Sequence, residues 1–173
     1  MSERFNSRIL ILVLVTLVAS ISAAVLLGAS CGPEIPEIEA DFITVGFEDH
    51  STIELTKGSP EFEEINDEAI RIYQNICGIY EELVPPEYIE EMKYDNKFVE
   101  IELIEPVSVT TYTDEGEVYR IFELTSAIFV FTGEFAGCVL DGPPPTAEWP
   151  DWGVYWSGRS FGNLEKMVDA LLS

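Results

Sequence analysis

Residues Gly158-Arg159-Ser160-Phe161-Gly162 satisfy the G-x-S-x-G pattern, the sharp turn that lifts a nucleophilic serine between a strand and a helix. The flanking patterns suit such a turn, with a short strand signal at 154–156 and a helix signal from about 163 to 172. A nucleophilic serine also needs a histidine to take its proton and an acid to orient that histidine. In the chain order this elbow uses, both partners follow the serine. Only eleven residues follow Gly162, and the sole histidine, His50, lies upstream in a polar turn. The string is therefore read as a glycine-assisted turn into a helix capped by Asn163, and no catalytic residue is assigned.

The other residues able to do chemistry give diffuse signals. His50 has no Cys, His or acid at metal-ligand spacing, so it reads as a solvated turn histidine, and neither a metal nor a cofactor is expected. Asp114-Glu115-Gly116-Glu117 lacks the spacing of a calcium loop and reads as a hairpin turn. Glu134, in an apolar run, is the acid placed to have a raised pKa. Binding character is stronger between 141 and 161, where Pro143, Pro144 and Pro145 precede Trp149, Trp152, Tyr155 and Trp156. Prolines restrict the loop and tryptophans offer large flat surface, so these four aromatics are the expected ligand or partner site. Trp152, between Asp151 and Gly153, is expected to be the most exposed tryptophan.

These residues must be positioned by the elements between 41 and 173. Two short β signals, at 42–47 and 52–55, flank a polar turn and predict a hairpin. A helix follows: Ser59 can cap, Pro60 suits the first turn, and apolar residues recur at helical spacing from Phe62 to Leu83, where Pro85-Pro86 stops it. Its water-facing side carries Glu68, Arg71, Asn75 and Glu82. From Phe98 the period becomes two, with Val99, Ile101 and Leu103 alternating with Glu100 and Glu102, which predicts a strand with one wet face. Further strands are predicted at 107–112, 118–124 and through 128–140, with Gly133 a bulge or break. The expected fold is α+β, a mainly antiparallel curved sheet of about six strands with one long helix and a C-terminal helix packed on it. Cys77 on the long helix and Cys138 on a central strand are expected to form a disulfide, the alternative being two separate thiols.

The N-terminus speaks to location. Ile9 to Ser30 is a run of 22 uncharged residues after Arg4 and Arg8. As a helix it would span about 33 Å, enough to cross a hydrocarbon core of about 30 Å. Small residues followed by Cys31 resemble the lipobox of prokaryotic lipoproteins, with Gly28 where leucine is usual and Leu27 one step earlier. The resemblance implies lipidation at Cys31; a retained signal anchor and plain cleavage are the alternatives. The flanking charges point the C-terminal part outward. Residues 1–30 are thus a signal or anchor, 31–40 an acidic proline-containing spacer, and 41–173 one extracytoplasmic domain. Losing the leader moves the formal charge from −23 to −24, which disfavours nucleic acid and anionic lipid surfaces as partners. The function expected is a membrane-tethered binding or accessory domain, whose partner is an envelope protein or small ligand. An envelope hydrolase or a structural acidic surface protein is the alternative.

Overall fold

The computed structural model describes residues 38, 40–112, 118–143 and 151–172; side chains at 79, 81, 82 and 110–122 are outside the description. The described elements are β1 (Phe42–Gly46), β2 (Thr52–Thr56), α1 (Pro60–Tyr73), β3 (Ile76–Val84), α2 (Pro86–Asp95), β4 (Phe98–Tyr112), β5 (Val118–Val130), β6 (Cys138–Gly142), β7 (Trp152–Ser157) and α3 (Gly162–Ala170). The strands form one open sheet in the order β2-β1-β4-β5-β6-β7-β3. The fold is α+β with an antiparallel sheet, as the sequence predicts.

Every neighbouring pair is antiparallel, so the two edge strands, β2 and β3, run in the same direction. The chain therefore crosses the sheet from edge to edge between them, and α1 makes this crossing. From β3 it returns to β4, again parallel, through α2. The two crossings lie on opposite faces, as the core residues show. Ile43, Val45, Val99, Ile101, Phe129 and Tyr155 pack with Phe62, Ile65 and Ile72 of α1 and Leu164 and Val168 of α3. On the reverse, Phe98, Ile128, Val130, Leu140 and Val154 pack with Ile89 and Met92 of α2. The period-two alternation of the strands thus feeds two cores.

The hairpin has the expected register, with Thr44 opposite Glu54. Helix α1 begins as predicted: the Ser59 hydroxyl accepts from the Phe62 N–H at 3.1 Å and Pro60 occupies the first turn. It ends earlier, however. The helical spacing expected to continue to Leu83 breaks at Gln74, and Ile76–Val84 is strand β3 paired with β7. Gly78 weakens a helix here and the β-branched Ile76, Ile79 and Val84 favour a strand, while the Trp156 indole lies over Gly78 where a Cβ would collide with it. Pro85 and Pro86 begin α2, a helix absent from the sequence reading. The predicted strands at 98–103 and 107–112 are one strand, β4, with a register shift between Glu102 and Val107. The run 128–140 breaks into β5 and β6 around a turn in which Gly133 and Gly137 take positive φ, 82° and 83°.

Candidate functional site

The β1–β2 turn delivers His50 toward α2. The Phe47 N–H donates to the Ser51 carbonyl at 3.0 Å and the His50 N–H to the Phe47 carbonyl at 2.9 Å. Asp49 accepts from the Ser51 N–H and hydroxyl, bonds that hold its carboxyl below the usual range, the hydroxyl contributing most. Closing this turn puts His50 at φ 66°, the left-handed region. A non-glycine residue held there costs conformational energy and is over-represented at functional sites. The ring stacks on Tyr94 of α2, centroids 4.1 Å apart and planes 9° from parallel. Its Nδ1 lies 2.8 Å from the Tyr94 carbonyl oxygen. A carbonyl only accepts, so Nδ1 carries the proton and Nε2 of the neutral ring keeps its lone pair.

Between this turn and α2 lies a pocket of about 290 Å³, lined by Thr44, Thr52, His50, Glu90, Lys93 and Glu100, with Phe47, Tyr94 and Phe98 as apolar wall. Glu100 was expected on a wet face; α2 covers that part of the face, and Glu100 is buried. Its oxygens are used: Oε2 lies 2.7 Å from Lys93 Nζ, and Oε1 accepts from the Ser126 hydroxyl at 2.7 Å. Lys93 also approaches Glu90 at 3.7 Å and sits 5.9 Å over the Trp152 ring. Two residues on, Glu102 is pushed above the usual carboxyl range, first by burial and then by repulsion from Glu100, against the pull of Lys93 and a hydrogen bond from Thr44. Glu54, directly across from Thr44, adds to the repulsion.

That shift has a testable sign. A folded-state value above the ordinary 4.5 means that the folded chain holds more proton at Glu102 than the unfolded chain. The stability this provides is complete at pH values below 4.5 and is lost as pH rises through the raised value. Glu102→Gln removes the charge while leaving an acceptor for Thr44. It should raise the melting temperature at pH 7 and leave it unchanged at pH 3, as thermal melts across that range would show.

The tryptophans do not form one exposed cluster. Alternation along β7 turns Trp152 and Trp156 to the α2 face and Tyr155 to the α1 face, where Tyr155 is 1% exposed. Tyr155 is a core residue, contrary to its expected binding role. Trp152, expected to be the most exposed, is half-buried against the second core, its ring over Gly142. Trp156 is exposed and meets Tyr80 edge-to-face, centroids 5.0 Å apart. Trp149 and Cys31 lie outside the described residues, as does the Asp114–Glu117 turn. Cys77 and Cys138 are two free thiols. The expected bridge is replaced by an intervening strand: Cys138 and Gly78 both face Trp156 of β7 from either side. Two strand spacings, about 9.6 Å, exceed the reach of a disulfide.

Ser160 is a turn residue, its hydroxyl accepting from the Gly162 N–H at 3.2 Å. Helix α3 has Phe161, not Asn163, at its N-cap, without a side-chain cap bond. Glu134 lies in the exposed β5–β6 turn, not in a strand, and accepts from the Tyr88 hydroxyl at 2.9 Å. Glu68, expected in water, is buried and receives the Arg159 guanidinium through both of its oxygens.

The sequence pattern does not single out Lys93, Tyr94 or Ser126, and it puts Glu100 in water. The available signal was Pro85-Pro86 followed by Ile89 and Met92 one turn apart, a short helix able to cover the acidic face of β4. Both serine hydroxyls near the pocket are bound to carboxylates, Ser51 to Asp49 and Ser126 to Glu100. Among the described residues no three acid, histidine or cysteine side chains converge to hold a metal ion. Comparison with protein-family models, curated proteins and solved structures finds no match to this chain.

Proposed function

We propose that this chain is a membrane-tethered extracytoplasmic binding domain whose ligand, a small polar molecule carrying a cationic group, occupies the pocket between the β1–β2 turn and α2. The observation that carries this reading is the local charge: Glu90 and Glu100 line the pocket with Glu102 and Glu54 beside them, and Lys93 is the cation set against them. A ligand ammonium or guanidinium relieves the repulsion at Glu102, while the hydroxyls of Thr44 and Thr52 and the Nε2 of His50 orient its polar part. Trp152 does not line the pocket and contributes only as the ring beneath Lys93.

The test is a titration followed by amide NMR, with methylamine, putrescine, lysine and arginine set against acetate and glycerol. Cationic probes should give saturable shifts at Thr44, Lys93, Tyr94 and Glu100, lost in Glu100→Gln. Binding of the anionic probe alone, or shifts that map elsewhere, would overturn the reading. The tether is tested separately by mass spectrometry of membrane-extracted protein. A lipid-modified N-terminal Cys31 supports it, and an intact Met1 on the membrane-bound form replaces the lipid with a signal anchor. Among the described residues no helix is long and apolar enough to cross a membrane.

A further inference from the structure

The sheet has two edges of unequal quality. β3 is irregular, its pairing with β7 shifting register twice, a device that discourages a further strand. β2 pairs with β1 in five uninterrupted steps, and no strand covers its outer edge among the described residues. On the α1 side, that edge opens into a groove of about 690 Å³ between β2, α1 and α3. Its floor is apolar, built from Ile53, Leu55, Ile65, Met167 and Leu171, and Glu61 and Glu64 stand on its α1 rim. Ile53 and Leu55 point into this groove because they lie opposite the buried Val45 and Ile43, whereas Glu54 points to the other face beside Thr44.

From this juxtaposition of a regular free edge with a side-chain groove, we propose that β2 is a docking edge for an extended segment of a second protein whose residues alternate apolar and basic. The added strand takes its main-chain hydrogen bonds from β2. Its apolar residues enter the groove, and its basic residues lie on the opposite face against Glu54. A second copy of this chain is the wrong occupant on charge. An antiparallel pair of β2 strands centred on Glu54 sets two carboxylates face to face, in molecules each carrying a formal charge of −23. The groove opens on the α1 face and the pocket on the α2 face, where Thr52 of β2 lines the pocket and Glu54 stands beside it. The two readings are therefore told apart by readout: the peptide protects the amides of 52–56, whereas a small cation shifts Lys93, Tyr94 and Glu100.

The probe is a capped eight-residue peptide of alternating valine and lysine, compared with the same composition scrambled and with a valine–glutamate alternation. Binding is read by fluorescence anisotropy and by amide hydrogen exchange on the whole chain. The valine–lysine peptide should bind at least tenfold more tightly than either comparator and slow exchange within residues 52–56. Glu54→Lys, a change at an exposed position, should reverse the preference toward the glutamate peptide. Equal binding of the scrambled peptide, protection at β3 in place of β2, no saturable binding, or a wild-type dimer in sedimentation with the β2 amides already protected would each overturn the proposal.

Discussion

Lys93→Met lowers the unfolding free energy by about 3 kcal/mol at pH 7, because it leaves Glu100 charged and buried with, among the described residues, only the Ser126 hydroxyl as partner. The side chain of Glu100 is 8% exposed and that of Lys93 is 20% exposed, so water can replace little of the lost ammonium. Methionine keeps an unbranched apolar stem of similar length, which isolates the charge from the packing. For a domain whose whole stability is about 5 to 15 kcal/mol, the loss is a large fraction. The double variant Lys93→Met with Glu100→Gln should return to within about 1 kcal/mol of wild type, since the amide still accepts from Ser126 and no charge is stranded. Urea denaturation of the two single variants and the double closes this cycle. A single-variant cost below about 1 kcal/mol would mean that Glu100 finds water when Lys93 leaves, and that the pocket is wetter than its geometry shows.

Arg159→Ala is expected to cost about 2 kcal/mol by the same physics at the other helix. Glu68 lies on α1 with its side chain 3% exposed, and Arg159 holds it by a fork: Nε to Oε1 at 3.2 Å, Nη2 to Oε1 at 3.1 Å and to Oε2 at 3.0 Å. Arg71, 3.5 Å from Oε2 and 57% exposed, remains as a partial substitute, which keeps the expected loss below that at Glu100. Arg159→Lys should recover less than half of the loss, because an ammonium cannot bond both carboxylate oxygens in the guanidinium's planar geometry. Chemical denaturation measures all three proteins. Ser160→Ala is the matched control from the same G-x-S-x-G string and should change stability by less than about 0.5 kcal/mol. In this string the arginine carries the structural weight and the serine only shapes a turn.

Both pairs show why the acids were misplaced in the sequence. Glu68 falls on the polar side of α1, and Glu100 on the polar face of β4, and each pattern alone implies water. What buries them comes from far along the chain or from an element whose signal merges with another: Arg159 follows Glu68 by 91 residues, and Pro85-Pro86, which ends the helical pattern before it, also starts α2. The tryptophans teach the same lesson. A cluster in sequence is divided by the pleat of β7, so Tyr155 enters one core while Trp152 and Trp156 turn to the other face.

Local chemistry was enough to determine the β1–β2 hairpin, the start of α1 at Ser59-Pro60, the alternation that opens β4, the C-terminal helix and the α+β class. Each of these depends on turn residues, a cap or a period within one or two turns of chain, interactions that form between near neighbours. The stop of α1, the identity of Ile76–Val84 as a strand, the separation of Cys77 from Cys138 and the pocket at His50, Lys93 and Glu100 were decided only by tertiary structure. Ile76, Ile79, Tyr80 and Leu83 fit a helical stripe as well as a strand. Pairing with β7, 79 residues away where Cys77 meets the Trp156 carbonyl, selects the strand, because an extended backbone gains ladder hydrogen bonds there that short-range periodicity cannot anticipate.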